Sequence, residues 1–177
     1  MSRAVEEVTT AIVNTLAEEW ICFPTTPQAK NIIKEGFMEK FNFSGVVGAL
    51  DCTHVEILRP LVEEHNYINR KGYQSKNIQL ICDHNLKIIN INSRYAGATH
   101  DSFIWRNSAV RAELERNYQR GERNSWLLGD SGYPQEPWLM RPVINALPGP
   151  PEYRYTQAHI HGLRRCSSLE EIVVYMA

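Results

Sequence analysis

Paired cysteines are missing from this chain. Its four, Cys22, Cys52, Cys82 and Cys166, are scattered with no Cys-x-x-Cys spacing. Zinc ligation and a disulfide framework are therefore both disfavoured, and reduced, buried thiols are expected. A basic surplus is missing too, since 19 Lys and Arg face 20 Asp and Glu. DNA-handling proteins of this size often carry an excess of cations, so the balance argues mildly against strong autonomous DNA binding. No apolar run approaches the roughly 20 residues of a membrane span, and no stretch is repeated or of low complexity. Glu6, Glu7, Glu18 and Glu19 lie where a secretory signal would carry none. The expectation is a soluble intracellular protein without a membrane partner. No basic cluster marks nuclear import, so nucleus and cytoplasm both stay open.

What is present is a core-forming composition. Apolar residues make up 43% of 177 positions, enough for one domain or one domain with a helical extension. Val5, Val8, Ile12, Leu16 and Trp20 recur at helical spacing and predict an amphipathic helix over residues 3–21. A second helix is predicted from Gln28 to Phe41, capped by Thr26 with Pro27 at its first position. Both are expected to pack onto a sheet built from later residues, making 1–44 an extension of a domain at 45–177. A free-standing DNA-binding helix pair is the weaker reading, because the stripe residues are bulky and the polar faces acidic.

Strands are predicted at Val46–Ile57, within Gly72–Asp83 and at Ile88–Tyr95, the last two joined by a turn at His84–Lys87. Asp83, before that turn, reads as structural. A helix opens at His100-Asp101-Ser102 and is expected to run to about Asn117, with Asp101 in its first turn. Trp126-Leu127-Leu128 is a short buried strand ending at Gly129-Asp130. Proline-rich residues from Tyr133 to Pro151 should be mostly irregular, with a brief apolar piece at Val143-Ile144. From Tyr153 onward the pattern is helical and then fades.

Two of these strands deliver an acid to an apolar setting: Asp51 in Gly-Ala-Leu-Asp-Cys-Thr-His, and Asp130 in Trp-Leu-Leu-Gly-Asp-Ser-Gly-Tyr-Pro. A carboxylate among buried residues is costly unless something pairs with it, and two such acids suggest a shared divalent metal. Three strands, a helix, then a strand with an acid at its end is the order of a ribonuclease-H-like mixed α/β sheet with flanking helices. There the first and fourth strands lie parallel and adjacent, which requires the crossover that the helix from Asp101 supplies. Asp51 and Asp130 would then face one another at the strand ends where ligands gather. Asp101 is either a helix-start cap or a supporting ligand. His54 falls on the opposite side of its strand from Asp51. Arg70 and Lys71, with Asn69 and Lys76, form the compact basic patch near the presumed site, either a phosphate grip or a solvated loop. Trp126, Tyr133 and Trp138 read as packing residues rather than base-stacking platforms.

Gly48–His54, Tyr67–Tyr73, Cys82-Asp83, Ala98–Ser102, Leu127–Pro134, Pro151–Tyr155 and Ala158-His159 together resemble, in this order, the Harbinger transposase-derived nucleases. The resemblance implies a DDE-type transposase domain with a ribonuclease-H-like fold, an Mg or Mn requirement and DNA cleavage. It maps the first two acids of the triad onto Asp51 and Asp130. The third falls on Ser167, within Gly162–Ser168, where the family's pattern is not kept. Glu170 or Glu171 would be the substitutes. The resemblance also implies further helical segments on both sides, so a central fragment is expected, with a protein partner supplying DNA binding that is weak or absent here. Without the third carboxylate, weakened metal binding and impaired cleavage are expected. The rival readings are a catalytically inactive interaction module and a fragment that does not persist as a folded protein.

Overall fold

The computed structural model describes residues 3–149 and 151–167, with side chains to residue 164. Helix α1 (Arg3–Trp20) is followed by α2 (Pro27–Phe41). The Thr26 hydroxyl accepts the Ala29 N–H at 3.2 Å, Pro27 starts the helix, and Asn42, at φ 53°, ends it. This is the cap that the sequence predicts. Ile33, Phe37 and Phe41 of α2 enter the core, whereas α1 has no buried residue and Trp20 is 62% exposed. Of the two N-terminal helices, α2 buries side chains in the core and α1 buries none. The stripe on α1 is correctly periodic but faces no apolar surface among the described residues.

The sheet has five strands in the order β3-β2-β1-β4-β5. Strands β1 (Val46–Glu56), β2 (Ser75–Cys82) and β3 (Ile88–Ala96) form an antiparallel meander. The chain then crosses over through α3 (Asp101–Arg106) and α4 (Ala109–Gln119). It returns as β4 (Trp126–Leu128), parallel to β1. The expected single helix from Asp101 is therefore two. Asn107 closes the first, and the Ser108 hydroxyl caps the second by accepting the Arg111 N–H at 3.1 Å. A further strand, β5 (Leu139–Met140), adds parallel to β4. It lies just before the apolar piece at Val143-Ile144, which is instead largely exposed. Helix α5 (Pro151–Ser167) continues through the stretch in which the sequence pattern fades.

Val46 to Leu50 are all buried, as a central strand covered on both faces requires. Strand alternation then sorts the helices. Ala49 pairs with Leu128, and Leu128 lies against α5, where a methyl added at Gly162 would sit 3.1 Å from its Cδ1. That residue must be small for α5 to approach β4. Phe41 of α2 meets the same segment of α5, its ring 5.5 Å from that of His161. Helices α2 and α5 thus cover the face carrying Ala49 and Asp51. His54 pairs with Asn77, and Asn77 bonds to Asp101 at the start of α3, so α3 covers the other face. The arrangement is a mixed α/β sheet with flanking helices, consistent with the ribonuclease-H-like superfamily.

Candidate active site

Asp51 stands at the point where the buried run of β1 gives way to partly exposed residues. The β1–β4 ladder ends at Ala49 and Leu128, and Asp51 and Asp130 each lie two residues beyond it. Alternation along β1 puts Asp51 on the face of Ala49, and Asp130, beyond the end of β4, lies where its charge acts on His159 of α5. Each carboxylate is oriented by local backbone. Oδ1 of Asp51 accepts the Cys52 N–H at 2.8 Å, and Oδ1 of Asp130 accepts the Gly132 N–H at 2.9 Å. A methyl at Gly132 would stand 3.2 Å from that oxygen, so glycine lets the turn close over it.

Two devices fix the segment around Asp130. Glu136 accepts from Trp105 Nε1 at 2.8 Å, from Trp138 Nε1 at 2.9 Å and from Arg111 at 2.8 and 3.0 Å. The loop after Asp130 is thereby tied to α3 and α4 by charge-assisted bonds. On the opposite side, fully buried His159 of α5 bonds through Nε2 to the Met140 carbonyl at 3.0 Å. The same carbonyl accepts the Gly129 N–H at 2.9 Å. Since a carbonyl only accepts, His159 carries a proton on Nε2. Burial pushes its pKa down, while the Met140 carbonyl and the Asp130 charge pull it upward.

The other face holds a separate polar cluster. Asn77, 1% exposed, donates through Nδ2 to Asp101 Oδ1 at 2.7 Å and to the Thr99 carbonyl at 2.8 Å. The Tyr133 hydroxyl donates to Cys52 Sγ at 3.2 Å. Burial, with Asp101 nearby, pushes the Cys52 thiol far up, and burial does the same to Tyr133. Burial thus favours the protonated thiol at Cys52. His54 is lowered by burial, with Arg70 and Lys71 adding to the effect and Asp101 opposing it.

Asp51 thus has the facing of Ala49, the Asp130 charge reaches His159 of α5, and Asp101 is engaged on the α3 face. Among the described residues, no group of three or more His, Cys, Asp or Glu is spaced to hold a metal ion. Ser167 is the last residue of α5, and Glu170 and Glu171 lie outside the described residues. The basic patch divides. Arg70 and Lys71 are exposed and act on His54, whereas Lys76 pairs in register with Val55 and sends Nζ to the Ser93 carbonyl at 3.3 Å. Tyr133 and Trp138 are buried, as packing residues should be, and Asp83 braces its turn by accepting the Asn85 and Lys87 N–H groups. Cys82 is buried as expected, but Cys22 is exposed and Cys52 only partly covered. Sequence reading missed Glu136 and the role of His159. The signal for Glu136 was an acid between Trp105-bearing and Trp138-bearing segments, which only the fold brings together.

Comparison with known proteins agrees with this architecture. Residues 50–174 match the DDE superfamily endonuclease family, so the match runs on through the stretch that departs from the expected pattern. "Putative nuclease HARBI1" of Rattus norvegicus and of Homo sapiens are each 35% identical over 159 residues, covering 90% of this chain and 44% of theirs. "Protein ALP1-like" of Arabidopsis thaliana is 24% identical over 167 residues, covering 88% of this chain and 41% of its own. The chain thus spans less than half the length of these curated relatives. No solved structure matches it. By these matches the chain belongs to the Harbinger transposase-derived nuclease family of DDE superfamily endonucleases.

Proposed function

We propose that this chain is the metal-dependent, DNA-cleaving part of a transposase-derived nuclease, built on a ribonuclease-H-like fold. What supports the reading is that Asp51 and Asp130 each lie two residues beyond the last paired residues of adjacent parallel strands. Two carboxylates whose rotamers are held by backbone N–H groups suit a hard cation such as Mg²⁺ or Mn²⁺, which leaves its other positions to water and substrate phosphates. Asp51 and Asp130 would hold the ion. When bound, it supplies charge neutralisation at the scissile phosphate and a more acidic water.

The chain's own contribution is rigidity and exclusion. Glu136 and His159 hold the Asp130 segment from its two sides, and preorganised ligands lose less freedom on binding. Arg70 and Lys71 on one side of the strand end, and Lys76 on the other, supply cations for the DNA backbone. With a net charge of −1, full affinity would come from a partner protein or a further segment.

Nicking of supercoiled plasmid in Mn²⁺ tests the reading. Activity that disappears in Asp51→Ala is expected, and equal activity in that variant would overturn it. One observation favours a second reading, a catalytically inactive interaction module: no third acid joins the pair among the described residues. That reading requires no nicking in the unmodified chain and, at most, weak Mg²⁺ binding by calorimetry.

A further inference from the structure

We propose that the end of β1 carries a receptor for a single unpaired DNA base, made of an apolar wedge and a polar cavity beside it. The inference deepens the DNA-cleaving reading and rests on it for the identity of the polymer. The wedge is the loop after β1. Leu58, Leu61 and Val62 are 94%, 102% and 75% exposed, the most exposed large apolar side chains among the described residues. Exposed apolar residues scattered singly need no explanation, but three clustered around Pro60 do. The base of the loop is fixed. Ile57 donates its N–H to the Gln74 carbonyl at 3.0 Å, and Arg59 and Gln74 both bind the Glu64 carboxylate.

Beside that base lies a cavity of about 210 Å³, lined in part by His54, Asn69, Arg70, Asn77 and Asp101. Ile68, which also lines it, bridges to Gln74 and so joins the cavity to the loop. The space falls below the roughly 300–1,000 Å³ of pockets for drug-sized ligands and suits one ring system. Its polar groups are set in advance. Asn77 holds the Asp101 carboxylate at 2.7 Å. Ser75 Oγ accepts from Asn69 Nδ2 at 2.9 Å and lies 3.1 Å from His54 Nδ1. A hydroxyl oxygen accepts up to twice and donates once, so the contact fits either His54 tautomer, and with Ser75 donating to Nδ1 the His54 proton sits on Nε2.

The cavity is therefore lined by a carboxylate, an imidazole and a guanidinium. Guanine matches this set most fully, giving N1–H and N2–H to the carboxylate and, with His54 protonated on Nε2, taking that N–H on O6. Among the described residues neither Arg70 nor Lys71 forms an ion pair, and that uncompensated charge favours a phosphate polymer over an apolar protein surface. Apolar wedging opens a base step, and a cavity that bonds the extruded base offsets the lost pairing.

The test uses the full chain in EDTA and follows fluorescence anisotropy of labelled duplexes that differ only in carrying an extrahelical guanine, an extrahelical thymine or neither. The guanine duplex is expected to bind about tenfold tighter than the paired one, with thymine between them. Leu58→Ser combined with Leu61→Ser, at exposed positions the fold does not use, should bring that preference to about one and leave paired-duplex affinity unchanged. Asp101→Asn should lower the guanine-to-thymine ratio. Equal wild-type affinity for all three duplexes overturns the proposal. So does a preference retained in the leucine variant, which would assign the loop to a protein partner, or an unchanged ratio in folded Asp101→Asn. No bond is cut in this assay. Bulge preference without plasmid nicking refutes the nuclease reading alone, and nicking without bulge preference refutes this inference alone.

Discussion

Just beyond the paired parts of β1 and β4, Asp51 and Asp130 are each oriented by a backbone N–H of their own segment. On the α3 face, Asp101, Asn77, Cys52, Tyr133 and His54 form a cluster of side chains that bond or act on one another. In the first group, each acid is held by the backbone of its own segment. In the second, side chains bond to one another and so hold each other's orientation around a cavity. The same β1 supplies both, since successive side chains point to opposite faces.

The sharpest way to break this contrast is to remove an acid from each face. Asp51→Ala should lower Mn²⁺-dependent nicking about 100-fold or more, whereas Asp101→Asn should leave Mn²⁺ binding by calorimetry within about twofold. If both variants lose metal equally, the two faces do not differ as described. Next in size is Phe37→Ala on α2, which empties a 1% exposed site and should cost about 3–5 kcal/mol in urea unfolding. Its counterpart toward α3 and α4 is Glu136→Ala, which leaves two indole N–H groups without their acceptor and Arg111 with Glu115 alone. A loss of about 2–3 kcal/mol is expected.

Smaller effects separate the faces further. Gly162→Ala gains helix propensity of about 1 kcal/mol but presses on Leu128 at 3.1 Å, so a net loss near 1 kcal/mol is expected. The smallest is a pH dependence. His54 and His159 both have folded pKa values pushed below the ordinary 6.5 by burial. The unfolded chain then binds protons first as acid is added. The stability these neutral rings contribute is complete above about pH 6.5 and is lost as pH falls through the lower folded values. Urea midpoints between pH 7 and 5 should fall less steeply in His159→Phe than in the unmodified chain.

Much of this was legible because it rests on local chemistry. Thr26-Pro27 announces a capped helix, and the buried run ending at Asp51 announces a central strand. A short apolar strand ending in Asp130, after a helical crossover, places it beside the first. What could not be read depends on distant partners. Periodicity marks the α1 stripe but cannot supply a surface to cover it. Leu139-Met140 is too short to outweigh its proline-rich setting, and it becomes a strand only because Leu127 and Leu128 offer an edge. Asp101 sits on a helix start that suits a cap or a ligand equally, and only the parity of Asn77 along β2 assigns its face. His159 belongs to a recognisable motif, but its role depends on the Met140 carbonyl that the fold sets beneath it.

Two of the four tryptophans, Trp105 and Trp138, end on the carboxylate of Glu136. An indole's emission responds to charge at its N–H, so the segment following Asp130 comes with its own optical label. Any rearrangement that separates Glu136 from these rings will register as a change in intrinsic fluorescence, without a dye, an isotope or an altered residue.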